Sequence, residues 1–361
     1  MMNRVLNRLN ALRTSRIVSR SSLSAIGAFA IGVFLTAAIA SCSSNAPQAS
    51  NSPGTSPASN SAQKSTQAAN IVRFGYQKST ILLKSKGLLE KRLAPEGAKV
   101  EWTEFPAGPP LLEALNVGAI DIGPVGESPP IFAQAAGAQL IYAASIAPNP
   151  KGSGILVPDN SPIQSVADLK GKKVAFAKGS SANYLIVQIL EKGGLKFSDI
   201  QPIYLPPADA RAAFVKGEVD AWVIWDPFYA AADEGANARV LVDGEGLNKT
   251  GGYYIASRKF AAENPKLLKS VLEEVRNLED WSSQNRDEVT KVLTDALKLP
   301  VEAVKKATDR RQFGLKPVTD DLLVEQQKVA DTYYQLKLIP NQISVRDAVL
   351  PPDQTAAFNF Q

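Results

Sequence analysis

Two stretches of the chain about 100 residues apart carry the same series of landmarks. Their offsets stay between 99 and 102 residues, so the landmarks keep in step along the chain. The matching pairs are 72–79 with 174–181, 105–107 with 205–207, and 114–121 with 213–220. An internal repeat of this length predicts two copies of one structural unit.

The second copy alternates short apolar runs with segments of helical spacing. Strands are predicted at 173–176, 200–205 and 219–224, with helices at 183–191 and 209–214. Alternating strands and helices favour a parallel sheet with helices on both faces. The fold class is therefore α/β, with two lobes that each contain a mostly parallel sheet flanked by helices. Ligands of open α/β sheets bind at the carboxyl ends of the strands.

The chain that follows the second copy of the repeat has a helical pattern. An apolar stripe runs from Leu267 to Trp281, and 320–336 is a second amphipathic segment capped by Thr319. We expect these helices to complete the first lobe, with the second lobe inserted into it. The predicted boundaries are 71–152 plus 252–350 for lobe 1 and 153–251 for lobe 2.

The first 41 residues have the pattern of a secretory signal peptide. Five arginines precede an apolar run, and Ile39-Ala40-Ser41-Cys42 follows, which resembles the lipobox of bacterial lipoproteins. Cys42 is the only cysteine in the chain, so lipidation there is the predicted modification. The alternative is an uncleaved membrane anchor, because about 18 apolar residues can span a bilayer.

Residues 42–70 contain one charge, Lys64, and no aromatic residue, so the sequence predicts a disordered tether. Five of the 40 basic residues precede Cys42, which leaves 35 against 35 acidic residues. The formal net charge of this part is therefore zero, which gives no indication of nucleic acid as a partner.

The absence of histidine narrows the possible chemistry. Ser-His-Asp and Cys-His catalysis and the common zinc sites are excluded, and we find no calcium-loop or P-loop spacing. No cofactor and no metal are expected. Asp226 and Glu127 could form a glycosidase pair, but any two carboxylates could be chosen in this way.

Two loops are suited to binding an anion. Lys178-Gly179-Ser180-Ser181-Ala182-Asn183 leads into a helix, whose first N–H groups attract negative charge. Ser180, Ser181 and Asn183 add side-chain donors. The alternative is that one serine only caps the helix.

The second loop is GPVGESPP at 123–130. Gly126 lets the backbone approach a ligand, Pro129 suits the first turn of a helix, and the N–H groups of Glu127 and Ser128 would face the cleft. A plain strand-to-helix turn is the alternative.

Long stretches of the chain carry a family resemblance. They are IVRFGYQKS, EFPAGPPLLEALNVGAIDIG, PPIFAQAAGA, SVADLKGKKVAFAKGSS, GLKFSDIQPIYLPPADARAAF and VDAWVIWDPFYAAA. With them the region 71–350 resembles the aliphatic-sulfonate-binding proteins of bacterial ABC importers, within the nitrate/taurine/sulfonate-binding family.

The resemblance implies a type II periplasmic-binding fold, in which two lobes joined by a double hinge clamp the ligand. Sulfonate oxygens would be held by the Gly126-Glu127 loop and the Ser180-Ser181-Asn183 helix start. Gln77 and the Trp225-Asp226 loop would complete the cleft. Relatives usually carry Asp at the position of Glu127.

A sulfonate is charged at every physiological pH, so neutral donors and helix dipoles suffice and no buried arginine is expected. Phe105, Trp225, Phe228 and Tyr253 would form apolar walls for an alkyl tail. Each of these aromatic residues could instead pack in the core.

The predicted function is an exported, monomeric lipoprotein without catalytic activity. It faces the periplasm or cell exterior and delivers alkanesulfonates to an ABC permease and its ATPase. Within this class, taurine, nitrate or another small solute is the alternative ligand. An enzyme of the same fold, such as the thiamin-pyrimidine synthases, and a sensory or adhesive lipoprotein are the alternatives outside it.

Overall fold

A computed structural model describes residues 70–235, 237–247 and 249–360. The predicted signal peptide, the lipidation site Cys42 and the tether up to residue 69 lie outside these residues. Asn70, assigned to the tether from sequence, is already the first residue of a strand.

The described residues form a six-stranded and a five-stranded sheet. The strands are β1 Asn70–Tyr76, β2 Ala98–Glu104, β3 Ile122–Val125, β4 Leu140–Ile146, β5 Ser153–Pro158, β6 Lys173–Phe176, β7 Gln201–Tyr204, β8 Ala221–Trp225, β9 Ala238–Asp243, β10 Tyr253–Ser257 and β11 Leu315–Lys316. The first sheet has the order β11-β4-β10-β3-β1-β2 and the second β7-β6-β8-β5-β9. The second sheet is therefore built from one continuous segment, whereas the first takes strands from both sides of that segment.

Helices flank both sheets. They are α1 Leu82–Ser85, α2 Leu88–Leu93, α3 Gly108–Asn116, α4 Ser128–Ala135, α5 Ser181–Lys192, α6 Pro207–Val215, α7 Phe228–Gly235, α8 Arg258–Glu263, α9 Pro265–Gln284, α10 Arg286–Leu297, α11 Val301–Arg310, α12 Asp320–Gln335 and α13 Pro352–Thr355. The α/β fold predicted from the sequence is confirmed. No helix within the described ranges has the length and apolar character needed to cross a membrane.

Both sheets are mixed, although most strands of each sheet run in the same direction. Strands β1, β2 and β3 are parallel, as are β6, β7 and β8, but β10 and β5 run against their neighbours. The reason is the place where the chain changes sheets. Tyr253 begins β10 beside Val125, the last residue of β3, and Ser153 begins β5 beside Trp225, the last residue of β8. Because the chain crosses at the carboxyl edges of the sheets, the strand that follows each crossing must start from that edge.

The two copies of the repeat share one hydrogen bond between an aspartate side chain and the backbone of a neighbouring strand. The Asp121 carboxylate accepts a hydrogen bond from the backbone N–H of Arg73 at 2.8 Å, and Asp220 accepts one from Lys173 at 2.7 Å. In each copy the aspartate that precedes one strand thus holds a backbone N–H group of its parallel neighbour, in the middle of β1 and at the start of β6. This hydrogen bond sets the relative position of the two strands whose carboxyl ends carry the candidate binding loops.

The C-terminal helices pack on the first sheet. Leu268, Val271 and Val275 of α9 are buried in the same core as Val72 and Phe74 of β1. Thr319 caps α12 by accepting a hydrogen bond from Leu322 N–H. Apart from Asn70, the strands of the two sheets lie within the residue ranges predicted for the two lobes, and the division into two lobes that move against each other stays a prediction.

Candidate anion-binding cavity

A cavity of about 200 Å³ lies where the carboxyl-end loops of the two sheets meet. The first sheet and its loops contribute Gln77, Lys78, Ser79, Thr80, Gly126, Glu127, Asn149 and Thr250. The second sheet contributes Ser153, Ser180, Ser181, Trp225 and Asp226, and the C-terminal helices contribute Leu293, Leu297, Val304, Thr308, Arg311 and Phe313. Seven of the nine residues predicted from sequence to bind ligand therefore line one cavity: Gln77, Gly126, Glu127, Ser180, Ser181, Trp225 and Asp226.

The loop after β3 comes into contact with the start of α5. A Cβ atom built on Gly126 would overlap the hydroxyl oxygen of Ser181, so any larger residue at 126 would force Ser181 to turn aside or the two segments to move apart. Pro129 lies in the first turn of α4, as predicted. Gln77 supports the loop from the other side, because its side-chain amide donates to the Pro124 carbonyl at 2.9 Å.

The serines at the start of α5 do not act as helix caps. The Ser180 hydroxyl donates to the Ala177 carbonyl at 2.7 Å, and no side chain caps this helix. The Ser181 hydroxyl lies beside the Glu127 carboxyl and lowers its pKa. The Ser180 proton is therefore in use within the protein, and the first-turn backbone N–H groups become the main donors toward the cavity.

Asn183 lies behind the cavity wall, fully buried. Its side-chain oxygen accepts from Gly179 N–H at 3.0 Å, which ties the loop to the helix. Its side-chain Nδ2 group is buried without a hydrogen-bond partner among the described residues. A buried donor left unpaired costs free energy, so this N–H₂ group favours an acceptor in its vicinity.

Ser128 is also set behind the cavity. It is fully buried, accepts a hydrogen bond from Tyr333 Oη at 2.8 Å and donates to Glu127 Oε1 at 3.2 Å. The Ser128 side chain thus connects α4 to α12 and does not line the cavity, and a role for its backbone N–H group in ligand binding stays a prediction.

Glu127 is an acidic residue that is almost completely buried, with only 3% of it exposed. Burial raises the pKa of its carboxyl, against the lowering effect of hydrogen bonds from its own backbone, Ser181 and Ser128. Its main-chain carbonyl accepts from the Gln326 side chain at 2.6 Å. The acid therefore joins α12, α4 and the start of α5 at one point.

Asp226 is held by an ion pair, which was not expected. Arg310 Nε lies 2.7 Å from Asp226 Oδ2, the other guanidinium arm reaches Oδ1, and Ala230 N–H donates to Oδ1 at 3.1 Å. Burial raises the pKa of Asp226, although Arg310 opposes this. The carboxylate that was expected to complete the cleft is thus used to fasten α11 to α7. This arrangement also leaves no free Asp226–Glu127 pair for glycoside hydrolysis.

Arg311 lines the cavity, so the expectation of a site without arginine is wrong. Its Nη2 lies 2.8 Å from Glu279 Oε1, and its guanidinium carbon is 4.8 Å from the centre of the Phe313 ring. Glu279 shares its charge with the backbone N–H of Gly314 at 3.1 Å, so the arginine keeps part of its positive field for the cavity. No sequence pattern marked this residue, which lies between a helix and a two-residue strand.

The apolar wall also differs from the prediction. Tyr253 is fully buried, and Phe105 and Phe228 pack against hydrophobic cores rather than lining the cavity. Trp225 alone of the four predicted aromatic residues lines the cavity. Large apolar side chains of the wall also come from β4, α10, α11 and the segment after α11, namely Ile146, Leu293, Leu297, Val304 and Phe313.

The described residues contain no group of three or more acidic, histidine or cysteine side chains placed to hold a metal ion. What the cavity offers is a set of hydrogen-bond donors and one arginine facing an apolar wall. Such a surface can bind a small anion that carries an apolar part.

Comparison with known proteins assigns the family. Residues 94–288 match the model of the NMT1/THI5-like family. A relative from Escherichia coli (strain K12), named as an aliphatic sulfonates-binding protein, is 48% identical over 78% of this chain and 89% of its own length. The alkanesulfonate-binding protein SsuA from Xanthomonas axonopodis pv. citri, solved bound to MOPS, is 44% identical with a TM-score of 0.75, over 78% of this chain and 98% of that one. The periplasmic aliphatic sulphonate binding protein SsuA from Escherichia coli is 47% identical with a TM-score of 0.71, over 78% and 92%. This chain therefore belongs to the NMT1/THI5-like family.

Proposed function

We propose that the chain is the substrate-binding component of an ABC importer and that it binds an aliphatic sulfonate in the cavity between its two sheets. The observation that carries the proposal is a single cavity lined both by hydrogen-bond donors, here called its donor side, and by apolar side chains, here called its apolar side. The similarity to SsuA proteins supports the same ligand class.

The donor side suits a sulfonate group. The first turn of α5 supplies backbone N–H groups and the positive end of a twelve-residue helix, and Gly126 allows close approach from the opposite loop. Arg311 adds a charge that is shared with Glu279. Sulfonate oxygens are acceptors only, which matches a site that presents donors.

The apolar side suits a short alkyl chain. Trp225 stands at the carboxyl end of β8, and Leu293, Leu297 and Val304 face the same cavity from α10 and α11. Burying each methylene of a ligand contributes about 0.8 kcal/mol. A tail of a few carbons should therefore bind more tightly than sulfate, which has none.

The two sheets act as two lobes in this proposal, with boundaries at 71–152 plus 252–350 and 153–251. The chain passes between the sheets twice, from β4 to β5 and from β9 to β10, and such paired crossings are suited to hinge closure. The protein delivers its ligand to a permease and its ATPase and performs no chemistry itself. Cys42 carries a lipid that holds the protein at the outer face of a bacterial membrane.

A ligand panel tests the proposal. Thermal unfolding is followed in acetate, Bis-Tris or Tris buffer, because MOPS, MES and HEPES are themselves sulfonates. Ethane- and butanesulfonate at about 100 times Kd should stabilise the protein by about 2.7 kcal/mol, a shift of several degrees in Tm. Nitrate should give no shift, and taurine and sulfate are tested alongside. Unchanged Tm with every sulfonate, in protein refolded to remove bound ligand, would overturn the proposal.

A matched pair of variants locates the binding site. Arg311→Met combined with Glu279→Gln removes both charges of the pair together, so that neither is left buried alone. Loss of a charged donor to the anion should weaken butanesulfonate binding at least tenfold. Arg346→Met with Asp320→Asn removes an exposed pair elsewhere and should leave affinity unchanged.

A further inference from the structure

The carboxyl of Glu127 has no cationic partner. It is enclosed on all sides, and no lysine or arginine in the described part of the chain forms an ion pair with it. A buried carboxylate in this situation is costly in its ionised form. A buried carboxyl without a cationic partner, beside a cavity that is proposed to bind an anion, needs a physical explanation.

The hydrogen-bond directions around Glu127 are defined by its neighbours. Tyr333 Oη donates to Ser128 Oγ, so the Ser128 proton is directed to Glu127 Oε1. The Ser181 hydroxyl, which lines the same cavity, is a second donor close to the carboxyl and also lowers its pKa. In the absence of ligand, two hydroxyl donors therefore support the ionised carboxylate.

An anion in the cavity changes this balance. Ser181 lines the cavity and lies next to Glu127, so a bound anion competes with the carboxylate for the Ser181 hydroxyl. Two negative groups that share one donor in a buried site cannot both stay ionised at low cost. A sulfonate remains ionised at these pH values, so it is Glu127 that gains the proton, which comes from solvent.

We propose that Glu127 takes up a proton when the ligand binds, so that the cavity prefers singly charged anions and binds them more tightly as the pH falls. The inference rests on the proposed function, since it assumes that an anion occupies the cavity. A second charge on the ligand would face the same uncompensated carboxyl. The geometry therefore also places sulfate and phosphate dianions at a disadvantage.

The other groups around Glu127 leave it as the titrating group. Tyr142 on β4, Tyr184 on α5, Tyr253 on β10 and Tyr333 on α12 face it, and burial raises the pKa of each, that of Tyr184 to about 12. These phenols stay neutral between pH 5 and pH 8.

The charged groups nearby are paired with partners of their own. On α12, Glu325 is partly exposed and paired with Lys328, which lowers the pKa of its carboxyl. Arg311, which also lines the cavity, forms an ion pair with Glu279.

Calorimetry with butanesulfonate measures the proton directly. At each pH the titration is run in two sulfonate-free buffers with different ionisation enthalpies, and the difference in observed heat gives the protons taken up per ligand. Near the midpoint of the pH dependence of Kd, we expect the number of protons taken up per ligand to be well above zero. We expect the affinity at pH 8 to be at least tenfold weaker than at pH 5. Glu127→Gln should bind with a pH-independent Kd and without proton uptake.

Glu325→Gln is the control, and it should keep the wild-type pH dependence because Glu325 lies at the surface. If wild-type protein binds butanesulfonate with the same Kd across this range and takes up no proton, the inference is wrong and the proposed function stands. Wild-type pH dependence in folded Glu127→Gln would also refute it. If Glu127→Gln does not fold, the wild-type proton count alone decides. Absence of any binding overturns the proposed function and the inference together.

Discussion

Gly126 and Ser181 face each other so closely that a Cβ atom on residue 126 would overlap Ser181 Oγ and lie 3.1 Å from Ser181 Cβ. One residue follows the last residue of β3 in the first sheet, and the other begins α5 on the second sheet. Their contact joins the two sheets directly at the cavity. Because the side chain of Gly126 is a single hydrogen atom, the two halves of the site can lie this close together.

Replacing Gly126 with Ala should weaken sulfonate binding by at least tenfold. The added methyl group would displace the Ser181 hydroxyl from Glu127 and separate the loop from the helix start. Calorimetry with butanesulfonate measures the effect. Gly235→Ala is the control, because no atom lies within 4 Å of a Cβ at that position.

A double-mutant cycle shows whether the contact itself is responsible. Ser181→Ala leaves Cβ in place but removes the overlapping oxygen, so Gly126→Ala should cost less affinity in that background than in the wild type. A coupling of about 0.5 kcal/mol or more is expected for residues in contact. Strictly additive effects would place the cause of the loss elsewhere.

Removing Arg310 should destabilise the protein in a pH-dependent way. Asp226 would be left buried without its partner, which costs about 3 kcal/mol at neutral pH. Without Arg310, burial raises the pKa of Asp226 further, so the folded state binds this proton more readily than the unfolded state. The destabilisation is therefore present above the folded-state pKa and shrinks as the pH falls through it.

Urea unfolding of Arg310→Gln at pH 7 and at pH 4.5 measures this difference against wild type at the same pH. Lys306→Gln on the same helix is the control, since its pairs with Asp233 and Glu234 are more exposed and worth at most about 1 kcal/mol. An equal loss of stability for Arg310→Gln at both pH values would show that the buried charge is not the cause.

Tryptophan fluorescence should report ligand binding through Trp225. This residue lines the cavity, whereas Trp222 is fully buried and Trp102 and Trp281 interact with Glu90 and Lys86 away from it. We expect a saturable change in emission with butanesulfonate that is largely lost in Trp225→Phe. A change that survives in Trp225→Phe but disappears in Trp222→Phe would contradict this assignment. Small-angle scattering should show a smaller radius with ligand if the lobes close by a hinge.

Cys42 should carry the membrane anchor. Cys42→Ser should prevent the incorporation of labelled fatty acid and release the protein from the membrane fraction of its bacterial host. Ser41→Ala, beside it, is the control and should keep the label. Unlabelled wild-type protein would refute the lipoprotein proposal.

The parts of the fold that could be predicted are those that the repeat encodes. Strand β6 was predicted at its observed residues, and α5 and β8 to within two residues, because buried runs and helical spacing are local patterns. The direction of β5 and β10 could not be predicted, since it depends on the edge at which the chain changes sheets.

Residues of the cavity could be predicted from sequence only where the residue type has one clear structural role. Gly126 and the serines of the α5 loop were identified because glycine and helix starts favour backbone donors. Arg311 was missed because its role arises from the packing of α11 against the second sheet. Ser128 and Asn183 were assigned to the cavity, yet a shift of one position along a helix turns a side chain to the interior.

The place of β10 between β3 and β4 imposes an order on biosynthesis. The second sheet is complete once residue 243 has been made, whereas the first sheet lacks a central strand until Tyr253–Ser257 follows. Until then β3 and β4 have unpaired edges, which are open to pairing with other chains. We therefore expect nascent or truncated chains that end before Tyr253 to aggregate through the first sheet, and chaperone demand to be greatest in that interval.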